Sequence, residues 1–346
     1  MVPDARRAYL GIVPRLPRRG NALYRQPGNG LEYEGYFFRA GCFRLNKDIL
    51  NWLLQGPPWL VYAVESQLLD RTPDPAAAVR DPAVVGLVAR LRSRDRGLPA
   101  LGGGRVHYTE TGKAYWDLFI LADIGLSIAD LGLREEAEAV FGFQSADGTF
   151  RIPPNVRPHY YCMSAILVAA LAKMGYRDDP RVAAYSNAAL RDQQRGGGWD
   201  CYGDDYGSCP MDDLNLLMLL GQYEARRRDP ALGGALDCLL SHWERGDNRY
   251  GFGVGRRFRA LTYPAVKYGV LRVLDVLSLF PHAVKSPAFT AMLDHVHGLA
   301  VDGRYYAAPV DDAYTEFDFG QTGEPSRWLT FLVSRIERRA ALAENS

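Results

Sequence analysis

The sequence predicts an all-α protein built from repeated helical hairpins, on three observations. Asp179-Pro180, Asp229-Pro230 and Ser286-Pro287 each set a capping side chain before a proline, and Gly196, Gly246 and Gly303 follow those prolines by 16 residues in every case. A cap followed by proline at the first helical position is how a helix begins. Apolar residues then recur at helical spacing, most clearly at Met163, Ile166, Leu167, Ala170, Leu171 and Met174, which line one face of a helix. The period-two alternation of a half-buried strand is found nowhere at length.

Taken in chain order, residues 1–45 read as an N-terminal extension. Pro and Arg interrupt every apolar stretch from Met1 to Arg19, so the segment lacks the apolar run of a signal peptide. No span reaches the roughly 18 apolar residues that a membrane helix needs, and the expected compartment is the cytosol. Asn46 to Leu69 supplies the first helices. Units of about fifty residues follow, starting near positions 82, 132, 180, 230 and 287. Gly132 and Gly148 repeat the 16-residue spacing, and Pro82 with Gly97 comes within one of it. Each unit reads as a helix of about four turns, a glycine turn, an irregular polar stretch and a second, more apolar helix. Leu214, Leu217, Met218 and Gly221 carry that second stripe in one unit; Val270, Val273, Leu274 and Leu277 carry it in another. With Pro325 to Ala340 at the end, eleven or twelve helices are expected in one domain over residues 46–342, followed by a tail at 343–346. Such units stack into an open solenoid or close into a ring, and periodicity leaves both open.

Composition bounds the function classes. Of 346 residues 47% are hydrophobic, ample for an extended core. Lys and Arg total 41 against 40 Asp and Glu, so no global field favours nucleic acid or an anionic membrane. Five cysteines, an odd number without CxxC spacing, point to free thiols in a reducing compartment.

The turns Gln144-Ser145-Ala146-Asp147-Gly148-Thr149-Phe150 and Gln193-Gln194-Arg195-Gly196-Gly197-Gly198-Trp199 resemble the QxDGxF and QxxxGGW motifs of squalene cyclases and prenyltransferase β-subunits. Weaker copies sit at Asp247 to Phe252 and Asp302 to Tyr305. From about residue 46 to 340, including Asn51 to Gly56 and Gly323 to Trp328, the chain resembles bacterial squalene-cyclase-like proteins. The resemblance implies an α/α toroid, in which the turns staple the outer helices and the helix after each turn lines the inside.

If the ring closes, the N-terminal ends of the inner helices meet at one mouth of a central cavity. Tyr115, Trp116, Tyr160, Tyr161, Tyr263, Tyr268 and Trp328 would then gather as an aromatic set suited to an apolar guest or a cation, with Lys267 and Arg327 beside them. Pro210-Met211-Asp212-Asp213 resembles the DxDD motif of class II terpene cyclases, with Pro210 standing where the family has its first Asp. The resemblance makes Asp212 the proton donor and Asp213 its paired carboxylate, with His159, Tyr161 or Lys267 to supply the hydrogen bond of the missing acid. The plain alternative is helix capping, since two carboxylates at a helix N-terminus suit the macrodipole. Protein prenyltransferases hold zinc at inner-helix starts, and His159, Cys162, Cys209 and Asp212 or Asp213 are the donors available here; their spacing does not reproduce the family's Asp-x-Cys. The arginines at 256, 257 and 259 suggest an anion site or a solvated loop, and Asp311, Asp312, Glu316 and Asp318 a solvated loop. The expected activity is proton-initiated cyclisation or isomerisation of a hydrophobic, isoprenoid-derived small molecule, without a cofactor. The alternatives are a zinc-dependent transferase and a non-catalytic toroid that binds a hydrophobic ligand. The oligomeric state is left open.

Overall fold

A computed structural model describes residues 45–104, 110–154, 156, 159–200, 208–245, 252–265, 269–308, 312–321 and 323–344. The predicted extension over 1–45 falls almost wholly outside them. The N-caps act as their chemistry dictates: Asp81, Asp179, Asp229 and Ser286 each accept the backbone N–H two residues on, ahead of Pro82, Pro180, Pro230 and Pro287. Among the described residues twelve helices have seven residues or more: α1 Lys47–Leu53, α2 Pro58–Gln67, α3 Pro82–Arg92, α4 Ala114–Ile124, α5 Arg134–Phe141, α6 Tyr161–Leu171, α7 Pro180–Arg191, α8 Pro210–Leu220, α9 Gly233–Glu244, α10 Val270–Leu277, α11 Pro287–His297 and α12 Arg327–Glu344. No strand occurs among these residues, only isolated bridges, and no helix is long and apolar enough to cross a membrane. The last helix runs through to Glu344, past the expected start of a tail.

The fold is an α/α toroid, and its closure is read from helix packing. The six even-numbered helices touch in sequence, α2 to α4, α4 to α6, α6 to α8, α8 to α10, α10 to α12, and α12 back to α2. Every residue of α4, α6 and α8 is buried, whereas α7 buries only one face, through Val182, Tyr185, Ser186, Ala188 and Ala189. A fully buried aliphatic or aromatic side chain contributes about 1.5–3 kcal/mol, against a few tenths per residue from helix propensity. Burial therefore decides which helix stands inside.

One unit starts differently from the expectation. Gly132 does not open a helix; it closes the short helix Ile128–Leu131 in the left-handed conformation (φ 63) and α5 begins at Arg134. A glycine ending one helix and a glycine turn preceding another look alike in spacing, which is why the 16-residue count misplaces this start.

The repeated glutamines tie each turn to the next outer helix. Gln144 donates to the carbonyls of Gly148 (3.0 Å) and Arg181 (2.8 Å), and Gln193 to those of Gly197 (3.0 Å) and Ala231 (2.9 Å). The Gly196-Gly197 turn lies so close to α9 that a Cβ on Gly234 would stand 1.6 Å from the Gly196 oxygen. Gly234→Ala forces two backbones apart and is expected to cost about 2–3 kcal/mol, read as a lowered midpoint in urea unfolding.

Candidate functional site

The helix carrying the carboxylate pair begins at Cys209, whose extended backbone precedes Pro210 at the first helical position. Its N–H bonds the Trp199 carbonyl at 2.7 Å, and Asp213 accepts the Trp199 N–H in return at 2.8 Å. The GGGW turn is thus clamped onto the inner helix from both sides. Asp212 and Asp213 have no exposed surface. Burial pushes the Asp213 carboxyl well above the usual carboxylate range, with the Asp212 charge adding to it, against the Trp199 N–H, which pulls it down. Asp212 lies near Tyr161 and Tyr185; burial raises both phenols, Tyr161 further through its bond to Asp192, and Asp212 makes a smaller contribution to each.

The other predicted residues are distributed less compactly. His159 is about half exposed, at 54%, and its Nδ1 lies 2.8 Å from Asp192. The buried Tyr161 hydroxyl donates to the same Asp192 oxygen at 2.5 Å, so both residues engage the end of α7 where the sequence suggested support for Asp212. Tyr160 caps α6 and is partly buried. Trp116, Tyr263 and Trp328 are buried and joined ring to ring, Trp116 to Phe119 at 5.4 Å, Phe119 to Tyr263 at 6.1 Å and Tyr263 to Trp328 at 5.3 Å. Phe319 joins this stack at 4.7 Å from Tyr263, and Phe317 lies 5.3 Å from Trp59. These two phenylalanines, not anticipated from the sequence, help fill the interior. Among the described residues a cavity of about 20 Å³ lies between Phe119, Tyr263, Leu271, Arg272 and Leu332, room for about one water. Arg272 is buried there, bonded to Asn215 and 5.1 Å from the Trp116 ring.

Arg327 donates to the Trp52 carbonyl at 3.1 Å and lies over the Trp52 ring at 4.8 Å, joining the last helix to the first. Lys267 and Tyr268 lie outside the described residues. Among the described residues no three His, Cys, Asp or Glu side chains gather as a metal site. Asp318, expected in a solvated loop, is largely buried and accepts the Trp328 N–H at 3.1 Å, which caps α12.

The opposite mouth, at the C-terminal ends of the inner helices, was not anticipated. It contains a cavity of about 470 Å³. At its floor Arg335, 2% exposed, bridges Asp123 at 3.1 Å and Asp275 at 2.9 Å and donates to Gln67 at 2.9 Å. Lys173 pairs with Asp123 at 3.2 Å, and Tyr263 reaches through the ring to donate to Asp123 at 2.8 Å. Burial raises the Asp123 carboxyl, but Arg335 and Lys173, with the Tyr263 hydroxyl, outweigh it and hold the group below its ordinary range. The sequence does carry a signal for this mouth. Asp123, Lys173, Gln222 and Asp275 each interrupt an apolar run near the end of an inner helix.

No family model matches the sequence, and no curated protein matches it. Among solved structures the chain is similar to a protein from Actinoplanes, with 15% identity over 83% of this chain and 90% of that one and a TM-score of 0.38. It is also similar to the type II terpene cyclase MstE from Scytonema, in an arginine-to-alanine variant holding geranylgeranyl dihydroxybenzoate, with 11% identity, 86% of this chain, 99% of that one and a TM-score of 0.34. An apo tyrosine-to-phenylalanine variant of MstE gives 12% identity, 87% and 100% coverage and a TM-score of 0.33. Closure of the ring rests on the chain's own helix contacts, not on these superpositions.

Proposed function

We propose that the chain is a terpene-cyclase-like enzyme that starts cyclisation or isomerisation of a small, apolar, isoprenoid-derived substrate by protonation, with Asp212 as the acid and Asp213 as its partner. One observation supports this reading: two adjacent carboxyls without exposed surface open an inner helix, and burial pushes the Asp213 carboxyl well above the usual carboxylate range. Protonating an alkene requires a neutral acid poised in an apolar setting, and a buried carboxyl beside a second one supplies it. In the step, the carboxyl O–H bond breaks and the proton bonds to an alkene carbon through its π electrons, leaving a carbocation and a carboxylate. Loss of a proton from the cation forms the product alkene, and the carboxylate is reprotonated. The resemblance of Pro210-Met211-Asp212-Asp213 to the DxDD motif puts the acid role on Asp212, beside Asp213, which accepts the Trp199 N–H. His159, engaged with Asp192, takes no part.

Turnover of isoprenyl alcohols, epoxides and diphosphates by the wild type, lost in Asp212→Asn at an unchanged melting temperature, is the expected result. Equal turnover by a folded Asp212→Asn protein would end the assignment.

A further inference from the structure

We infer that the C-terminal mouth of the ring binds a doubly charged oxyanion of the phosphate class, held by Arg227 and Arg339. This site is separate from the carboxylate pair, which lies at the other end of the inner helices, and it does not depend on the proposed acid chemistry.

The cavity is lined by five cationic side chains, Lys173, Arg177, Arg227, Arg335 and Arg339, and by three carboxylates, Asp123, Asp178 and Asp275. Each carboxylate is already engaged. Asp123 takes Lys173 and Arg335, Asp178 takes Arg177 at the rim, and Asp275 is shared by Arg335 and Arg339 through one oxygen, at 2.9 Å from each. Arg227 has no carboxylate within ion-pair distance among the described residues. Its Nε donates to the Gly221 carbonyl at 2.7 Å, and neither terminal nitrogen has a protein acceptor there. Arg339 uses one terminal nitrogen, on Asp275. Both arginines also line a neighbouring cavity of about 290 Å³, where Arg228 adds a further cation and Glu224 an acid.

Helix ends explain part of this arrangement, since cations suit the negative end of the macrodipole and bond the last carbonyls. That role uses the Arg227 Nε on Gly221 and leaves its fork of terminal N–H groups over. A guanidinium carries five N–H donors, and withdrawing one from water without an anion is costly. Accordingly burial lowers both arginines: Arg339 stands at about 10, with Arg335 and Arg227 adding to the effect against Asp275, and Arg227 is lowered despite Glu224. A surplus of two positive charges matches a phosphate, which carries about −1.5 to −2 near neutral pH. The paired terminal nitrogens of arginine match its oxygens in a fork. Val276 and Leu279 on the same wall would accept an alkyl group attached to the anion.

The test is calorimetric titration of the full chain with inorganic phosphate, inorganic diphosphate and butyl phosphate at constant ionic strength. The wild type should bind one anion per chain saturably, and Arg227→Gln and Arg339→Gln should each weaken binding by at least about tenfold. Because Arg339 also holds Asp275, its replacement risks the fold; Arg227→Gln breaks no ion pair and keeps the test decisive. Tighter binding of butyl phosphate than of phosphate would mark the head group of an organic phosphate as the occupant, and equal binding the free anion. Either supports the site if Arg227→Gln weakens it. Absence of saturable binding at millimolar anion, unchanged affinity in a folded Arg227→Gln protein, or succinate binding as tightly as diphosphate would overturn the assignment.

Discussion

Replacing Arg335 by methionine should lower the unfolding free energy by about 3–5 kcal/mol, the cost of removing one partner from a buried charged network. The side chain is 2% exposed and touches Gln67 on α2, Asp123 on α4 and Asp275 on α10 from its own place on α12. It therefore joins the end of the ring to its beginning. Methionine keeps most of the apolar stem, so the loss reports the missing guanidinium more than a cavity. The pH dependence carries a defined sign. Asp123 is held below its ordinary range, so its pairing stabilises the fold above the unfolded carboxyl value of about 3.9 and the benefit is lost as pH falls through the folded value. The gap between wild type and Arg335→Met should be full at neutral pH and narrow below about pH 4. Urea unfolding at both pH values measures it. A loss under about 1 kcal/mol at neutral pH would mean that packing alone closes the ring.

How much of this was legible in the sequence depended on the range of the forces. N-caps are local: Asp179, Asp229 and Ser286 bond N–H groups two residues away, so residue type and spacing were enough. The alternation of buried and half-buried helices was legible for the same reason, since composition sets which helix tolerates full burial. Gly132 misled because a glycine's positive φ serves a helix end as readily as a turn. The glutamine staples were visible as a repeat, but their acceptors, the Arg181 and Ala231 carbonyls, lie 37 and 38 residues on. Asp213 was legible as half of an acid pair, whereas its bond to the Trp199 N–H belongs to the folded turn. The charged mouth was hidden more deeply. Arg335 and Gln67 meet across 268 residues, and attention to helix starts passes over the polar residues that end those helices. Phe317 and Phe319 were missed because an irregular stretch carries no periodicity to announce burial.

Substitutions in the carboxyl pair should separate chemistry from stability. Removing a general acid lowers a rate by about 10²–10⁴, so Asp212→Asn should lose turnover by that factor with little change in folding, since asparagine is nearly isosteric. Asp213→Asn should behave in the opposite way. Its carboxyl is raised in the folded protein, so its contribution to stability is full below the unfolded value of about 3.9 and is lost as pH rises toward the folded value. Asparagine mimics the protonated form and still offers an oxygen to the Trp199 N–H, so this variant should gain on the wild type as pH increases from 4 to 8. Asp213→Ala removes the acceptor and strands a buried N–H, at about 1–3 kcal/mol. Melting temperatures across that pH range give the sign directly. A wild type that gains stability relative to Asp213→Asn with rising pH would show that Asp213 is ionised in the fold.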